Sequence, residues 1–219
     1  DVPVHTMIRL GRSVPDAILK TVAENASDLV LFGWPSYKGS RPGLFGSVID
    51  RIASNPPSDI AVLRHRPYGE LRSILVPVAG GRNGRLALSL AISLARNTRE
   101  RTQVILMNVA LHGVDASDAE ARARNAFRRA SEGLDYDLIE RRVVHSDSAL
   151  TGILQLASKC DMVVIGATKE RMLRNALIGN VAEMVADRSR CPVIIVKRRS
   201  TVLESMLRAT VFSTPPPSS

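Results

Sequence analysis

The chain has 219 residues, 45% of them hydrophobic and only 4% aromatic, with a formal net charge of +9 and an isoelectric point near 10.4. This allows one or two domains with aliphatic cores, and no apolar run approaches the roughly 18 residues a membrane span needs. Arginines are spread through every helical segment without stacking aromatics, so the default is a solvated Arg-rich surface; contact with anionic lipid ranks next, and nucleic acid is disfavoured.

Read from its start, VPVHTMIRL predicts a strand and Gly11-Arg12-Ser13 a turn. Ser13 suits an N-cap, and Pro15 the first turn of the helix DAILKTVAE. LVLFG, after Asp28, is short and uninterrupted, as in a parallel strand buried on both faces. A polar loop leads to Gly46, a helical segment and the apolar run IAVL. Residues 67–71 form a linker too short for free domain motion, so the halves are expected to pack together. RSILVPV then begins a second unit, and its loop, residues 79–84, opens the helix RLALSLAISLAR. On that helix Leu86, Leu90 and Leu94 are expected to share a face with Ala87 and Ala91. QVILMNV and LIERRVV read as strands on either side of a surface helix, residues 115–131, with charges of both signs.

His145-Ser146-Asp147 has triad residue types, but adjacency in sequence does not give triad geometry; Asp147 or Ser148 is read as the N-cap of the helix that follows. His5, His65 and His112 lack metal-ligand spacing, and no catalytic or metal-binding residue is assigned. Cys160 and Cys191 have neither zinc spacing nor a disulfide framework. They read as reduced thiols, each just before a strand expected to neighbour the other. After PVIIVKRR comes a basic segment in which Val202, Leu203, Met206, Leu207 and Val211 can share a helical face, for a membrane, a partner domain or its own domain. A Ser/Pro run of disordered composition ends the sequence.

The chain repeats itself. Residues 161–199 align without a gap on residues 28–66, an offset of 133, with nine of 39 pairs identical. Each copy runs Asp, apolar strand, Gly, polar loop, second Gly, helix, apolar strand. A glycine at a strand end permits a tight turn and close ligand approach, and a helix N-terminus favours phosphate. The first copy reads Gly33, two residues, Ser36, nine residues, Gly46, Ser47. The second reads Gly166, two residues, Lys169, nine residues, Gly179, Asn180. This pattern resembles the phosphate loop of the universal stress protein family, with the middle glycine replaced in both copies.

The resemblance implies an α/β fold of tandem domains: residues 1–66 incomplete, from the third strand onward, and residues 71–199 complete, with residues 200–219 as a tail. The complete domain would be an open parallel sheet of five strands in the order 3-2-1-4-5. Its adenine nucleotide site would involve Ala79 and Val109 besides the loop residues. Ala79 stands where the family has an Asp, and Asn180 where it has a hydroxyl. Lys169 adds both bulk and charge, so ATP is expected to bind weakly or not at all. The last strands, residues 60–63 and 193–196, are expected to pair antiparallel as a pseudo-dimer within the chain, with a homodimer as the weaker expectation. Tandem domains of this family occur as cytosolic C-terminal parts of amino-acid permeases of the APC type. The Asp1 start in mid-domain, the altered loop and the basic charge favour a non-catalytic regulatory module of that kind, cytoplasmic and at the inner membrane face. The alternative is a free-standing ATP-binding protein.

Overall fold

A computed structural model describes residues 3–34, 46–167 and 180–199. Residues 3–66 supply helix α1 (Val14–Glu24), strand β1 (Leu29–Gly33), helix α2 (Gly46–Ser54) and strand β2 (Asp59–Arg64). The remainder runs β3 (Ser73–Pro77), α3 (Arg82–Arg96), β4 (Gln103–Leu111), α4 (Ala116–Ser131), β5 (Ile139–Ser146), α5 (Ala149–Ala157), β6 (Met162–Gly166), α6 (Asn180–Arg188) and β7 (Val193–Lys197).

The helix boundaries follow side-chain chemistry. Ser13 caps α1 by accepting from the Asp16 amide, with proline at the helix start. Asp115 caps α4 through the Ser117 amide, and Ser148 caps α5 through the Thr151 amide. Each satisfies an amide that the helix itself cannot.

All strands join one sheet in the order β1-β2-β7-β6-β3-β4-β5. Where five strands were expected, the sheet has seven, because β7 does not end it. β2 pairs antiparallel with β7, and every other pairing is parallel. An aliphatic edge strand leaves a row of backbone donors and acceptors open, and IAVL closes the one that VIIV would present. In this register Val62 faces Ile195, and 195 − 62 = 133, the offset of the sequence repeat. Ala61 faces Val196 and Leu63 faces Ile194, so positions on either side of that pair exchange about it.

The strand expected in VPVHTMIRL does not form: residues 3–10 carry no regular structure and are exposed. β1 has β2 on one side and no described strand on the other, and residues 3–10 do not join that open edge.

The core has two layers. On one face α2, α5 and α6 pack together through Ile49, Ile52, Ile153, Leu156, Val185 and Ala186, over Val62, Leu75, Val163 and Ile195. α3 and α4 cover the other face, over Ile74, Val76, Leu106, Val164 and Val196. The buried stripe of α3 is Gly84, Ala87, Leu88, Ala91, Ile92 and Ala95; it holds the expected Ala87 and Ala91, whereas the expected Leu86, Leu90 and Leu94 flank it half-buried. Gly84, Ala87, Ala91 and Ala95 let α3 lie close against the sheet, with Leu88 and Ile92 filling the space between them.

Candidate functional site

In an open α/β sheet, ligands bind beyond the carboxyl ends of the strands where the strand order reverses. Here that point lies between β3 and β6, whose helices leave in opposite directions along the sheet. The chain leaving β3 passes through Val78, exposed Ala79 and Gly80, whose φ of +83° suits glycine. A Cβ there would also lie 3.6 Å from Ala126 Cα. Buried Asn108 donates to the Val78 carbonyl at 2.7 Å and fixes this turn to β4.

Helix α3 then starts directly over the end of β6. Asn83 donates from Nδ2 to the Ala167 carbonyl (2.5 Å) and accepts at Oδ1 from the Arg198 amide (2.9 Å). One side chain thus ties α3 to the ends of β6 and β7. The packing is tight enough to require the glycine: a Cβ on Gly166 would stand 2.7 Å from the Asn83 carbonyl carbon and 2.8 Å from its Cβ. The first turn of α3 occupies the side of Gly166 on which a side chain would stand. Sequence reasoning missed Asn83, whose signal was its place in the opening turn after two glycines.

The mouth around this point is basic. Arg82 donates to the Arg199 carbonyl at 3.4 Å, and exposed Arg198 and Arg199 follow β7. The N-cap of α3 is Gly81, with no side-chain cap and no acidic residue in the first turn. Ala79 brings no carboxylate to it. Val109, half-buried, packs on α5, where a Cβ on Gly152 would lie 3.2 Å from its Cγ2.

Of the remaining loop residues, Gly33 ends β1, and among the described residues a Cβ there would meet nothing within 4 Å. Gly46 and Asn180 open α2 and α6, and Ser47 follows Gly46. Ser36, Lys169, Gly179 and the 200–219 tail lie outside the described residues.

The triad-like residues diverge. His145 lines a groove between α4 and β5, Ser146 is buried, and Asp147 meets His112 Nδ1 at 2.8 Å on the surface. Among the described residues no cluster of three metal-capable side chains exists, and no helix is long and apolar enough to cross a membrane.

Both cysteines are free and close on the end of α5: Cys160 donates to the Leu156 carbonyl (3.4 Å) and Cys191 to that of Ala157 (3.7 Å). Burial, reinforced by Cys191 and Asp161, pushes the Cys160 thiol from the ordinary 9.0 up to about 11. Burial raises Cys191 as well. Such thiols hold little thiolate at neutral pH and are poor nucleophiles.

Asp161 is a structural residue that the sequence showed without explaining. Its carboxylate accepts from the amides of Arg72 (3.1 Å) and Ser73 (2.8 Å) and from the Ser73 hydroxyl (2.8 Å), joining the start of β6 to that of β3.

Residues 70–197 match the universal stress protein family. Over 204 residues the chain is 26% identical to a universal stress protein of Mycobacterium tuberculosis, covering 86% of this chain and 68% of that one. It is 25% identical over 191 residues to an Na(+)/H(+) antiporter of Synechocystis sp., covering 84% of this chain and spanning only 26% of the antiporter's length. Among solved structures, a universal stress protein from Archaeoglobus fulgidus superposes with a TM-score of 0.58 at 16% identity, over 85% of this chain and 66% of that one.

Proposed function

This chain belongs to the universal stress protein family, and from that premise we infer that it is a non-catalytic regulatory or scaffold module, carried as the cytosolic part of a membrane transporter. The observation that carries this reading is the mouth between β3 and β6, where Asn83 fills the space above Gly166 and no carboxylate stands at Ala79. Loss of one charge-assisted hydrogen bond costs about 1.5–3 kcal/mol. With Ala79 and Asn180 both altered, an adenine nucleotide is held weakly at best. Similarity to the antiporter over most of this chain but a quarter of that protein supports attachment to a transporter. A net charge of +9 suits an anionic inner membrane face.

In this reading residues 1–66 and 71–199 are two units of one design, the first incomplete, joined as a pseudo-dimer through β2 and β7. Support comes from the antiparallel register centred on Val62 and Ile195 and its agreement with the 133-residue offset. The edge that would join two copies of the chain through β7 is occupied internally, so a homodimer is the lesser expectation. A second reading, a free-standing ATP-binding protein, draws on the similarity to the Mycobacterium tuberculosis protein over two thirds of its length and on the kept loop spacing.

Two measurements separate them. Calorimetric titration with MgATP should show nothing tighter than about millimolar. An antibody to this region should detect a membrane-bound polypeptide well above 23.8 kDa. Micromolar binding abolished by Gly179→Val, with the antigen in the soluble fraction, would establish the free-standing reading instead.

A further inference from the structure

Cys160 and Cys191 are the chain's only cysteines, and they lie at the opposite end of the sheet from the mouth between β3 and β6. Cys160 stands just before β6 and Cys191 just before β7. These strands are parallel neighbours with Val163 opposite Val193, and the Val163 amide donates to the Pro192 carbonyl at 3.0 Å. Run back by two residues, that register sets Cys191 beside Asp161, the residue next to Cys160. Neighbouring strands lie about 4.8 Å apart and each residue adds about 3.3 Å, so the two Cα atoms stand roughly 6 Å apart. A disulfide spans about 4.4–6.8 Å between Cα atoms. Both side chains also turn to one place. Their sulfurs donate to the carbonyls of Leu156 and Ala157, consecutive residues at the end of α5, and both pack in the same core layer. Their exposure differs: Cys160 is buried, whereas Cys191 is half-buried, with the Ser189 hydroxyl 3.2 Å from its sulfur.

We propose that Cys160 and Cys191 form an oxidisable dithiol site, which low-molecular-weight disulfides convert into an internal bond locking the start of β6 to the start of β7. Cys191 is the point of entry, because solvent reaches it and the Ser189 hydroxyl can donate to its thiolate. That thiolate attacks one sulfur of the small disulfide RSSR. The S–S bond breaks, and RS⁻ leaves and takes up the proton that Cys191 gave to solvent. The Cys160 thiolate then attacks the Cys191 sulfur of the mixed disulfide and expels the second RS⁻, which is protonated in the same way. Two protein thiols are oxidised, and one small disulfide is reduced to two thiols. Burial keeps both cysteines protonated near neutral pH, so the first step is slow. The second is intramolecular, with the reacting sulfurs already held side by side, and outruns it. The new bond closes the loop that contains β6 and α6. It restricts the unfolded chain more than the folded one, so the oxidised form is the more stable.

Oxidised glutathione in excess over the full chain, in mildly alkaline buffer and incubated to a constant product, tests this by intact mass and non-reducing peptide mapping. The chain should lose two hydrogens and yield a linked peptide pair joining Cys160 to Cys191. A glutathionyl adduct should remain on less than about a tenth of the molecules. Cys160→Ala, with no second thiol to resolve the intermediate, should stop at an adduct on Cys191. Cys191→Ala should react about tenfold more slowly than the unsubstituted chain, or slower. The oxidised chain should unfold at higher urea than the reduced one, and a dithiol reductant should reverse the shift. Native thiols that stay free or keep separate adducts, cross-links between chains, or an oxidised form that unfolds no later than the reduced one would each overturn the proposal. The unsubstituted chain carries these readouts by itself, so they hold even where a variant fails to fold.

Discussion

β1 and β6 are LVLFG and MVVIG, nearly the same sequence in opposite circumstances. β6 is enclosed at every residue; β1 alternates between half-buried and exposed. Both are strands, because one aliphatic neighbour suffices to form the ladder. Residues 3–10 form no strand, although β1 has no described neighbour on its outer side. An apolar sequence and an open edge are not enough by themselves to make a strand.

The sharpest way to break this comparison is to add the same side chain at the end of each strand. Gly166→Val drives a branched Cβ into the backbone of Asn83. It should cost about 3 kcal/mol or more, or prevent folding. Gly33→Val should change stability by less than about 0.5 kcal/mol, since no described residue lies within 4 Å of the added Cβ. Urea denaturation of the two variants reads the difference. Equal losses would mean that the end of β1 is as tightly covered as that of β6.

A smaller contrast lies at the other end of the strands. Asp161→Ala removes the acceptor for two amides and one hydroxyl and should cost about 1.5–3 kcal/mol. Asp28→Ala, at an exposed site, should cost within about 0.5 kcal/mol. Comparable losses in urea would show that Asp28 already holds a strand in solution.

Much of this was legible beforehand. The repeat, the strands around Gly33 and Gly166, and the caps at Ser13 and Ser148 are local patterns, fixed by hydrogen bonding and periodicity within a few residues. The nearness of the two cysteines followed from where their strands lie. What escaped depends on contacts distant in sequence. Asn83 reaches the end of β6 across 84 positions, so nothing near Gly166 in the sequence shows that the first turn of α3 sits on it. The stripe on α3 was centred on Leu86, Leu90 and Leu94 beside Ala87 and Ala91, whereas the buried face runs from the two alanines toward Leu88 and Ile92. The strand expected over residues 3–10 is absent beside an open edge of β1, and no local pattern in the sequence gave a sign of that.

The copies should also differ in their response to alkali. Cys160 and Cys191 correspond to Ser27 and Ser58 under the offset, so the buried thiols belong to the second copy alone. A group whose pKa is higher folded than unfolded contributes stability that is complete below the unfolded value and is lost above it. For Cys160 that loss falls between the ordinary 9.0 and about 11. Across that range the chain should lose stability faster than a Cys160→Ala variant, compared in parallel urea titrations. At pH 8 both thiols should react with a disulfide reagent far more slowly folded than in urea. Parallel pH profiles would place Cys160 in contact with water.

The smallest expected effect is at the end of α1. There Ala26 takes a φ of +45°, the only non-glycine with positive φ among the described residues. Its amide donates to the Ala23 carbonyl (3.3 Å) and that of Ser27 to Val22 (3.1 Å), the paired bonds of a Schellman turn. The position that turn gives to glycine is filled by a residue whose Cβ crowds the neighbouring carbonyl. At the matching end of α5 the amides of Lys159 and Cys160 bond to Leu156 and Ala157 instead, and Lys159 keeps an ordinary φ. Ala26→Gly should therefore stabilise the chain by about 0.5–1 kcal/mol, whereas Lys159→Gly should stabilise nothing. If thermal melts show Ala26→Gly neutral or destabilising, α1 does not end in this turn in solution, and α1 packs more loosely beside β1 than α5 does beside β6.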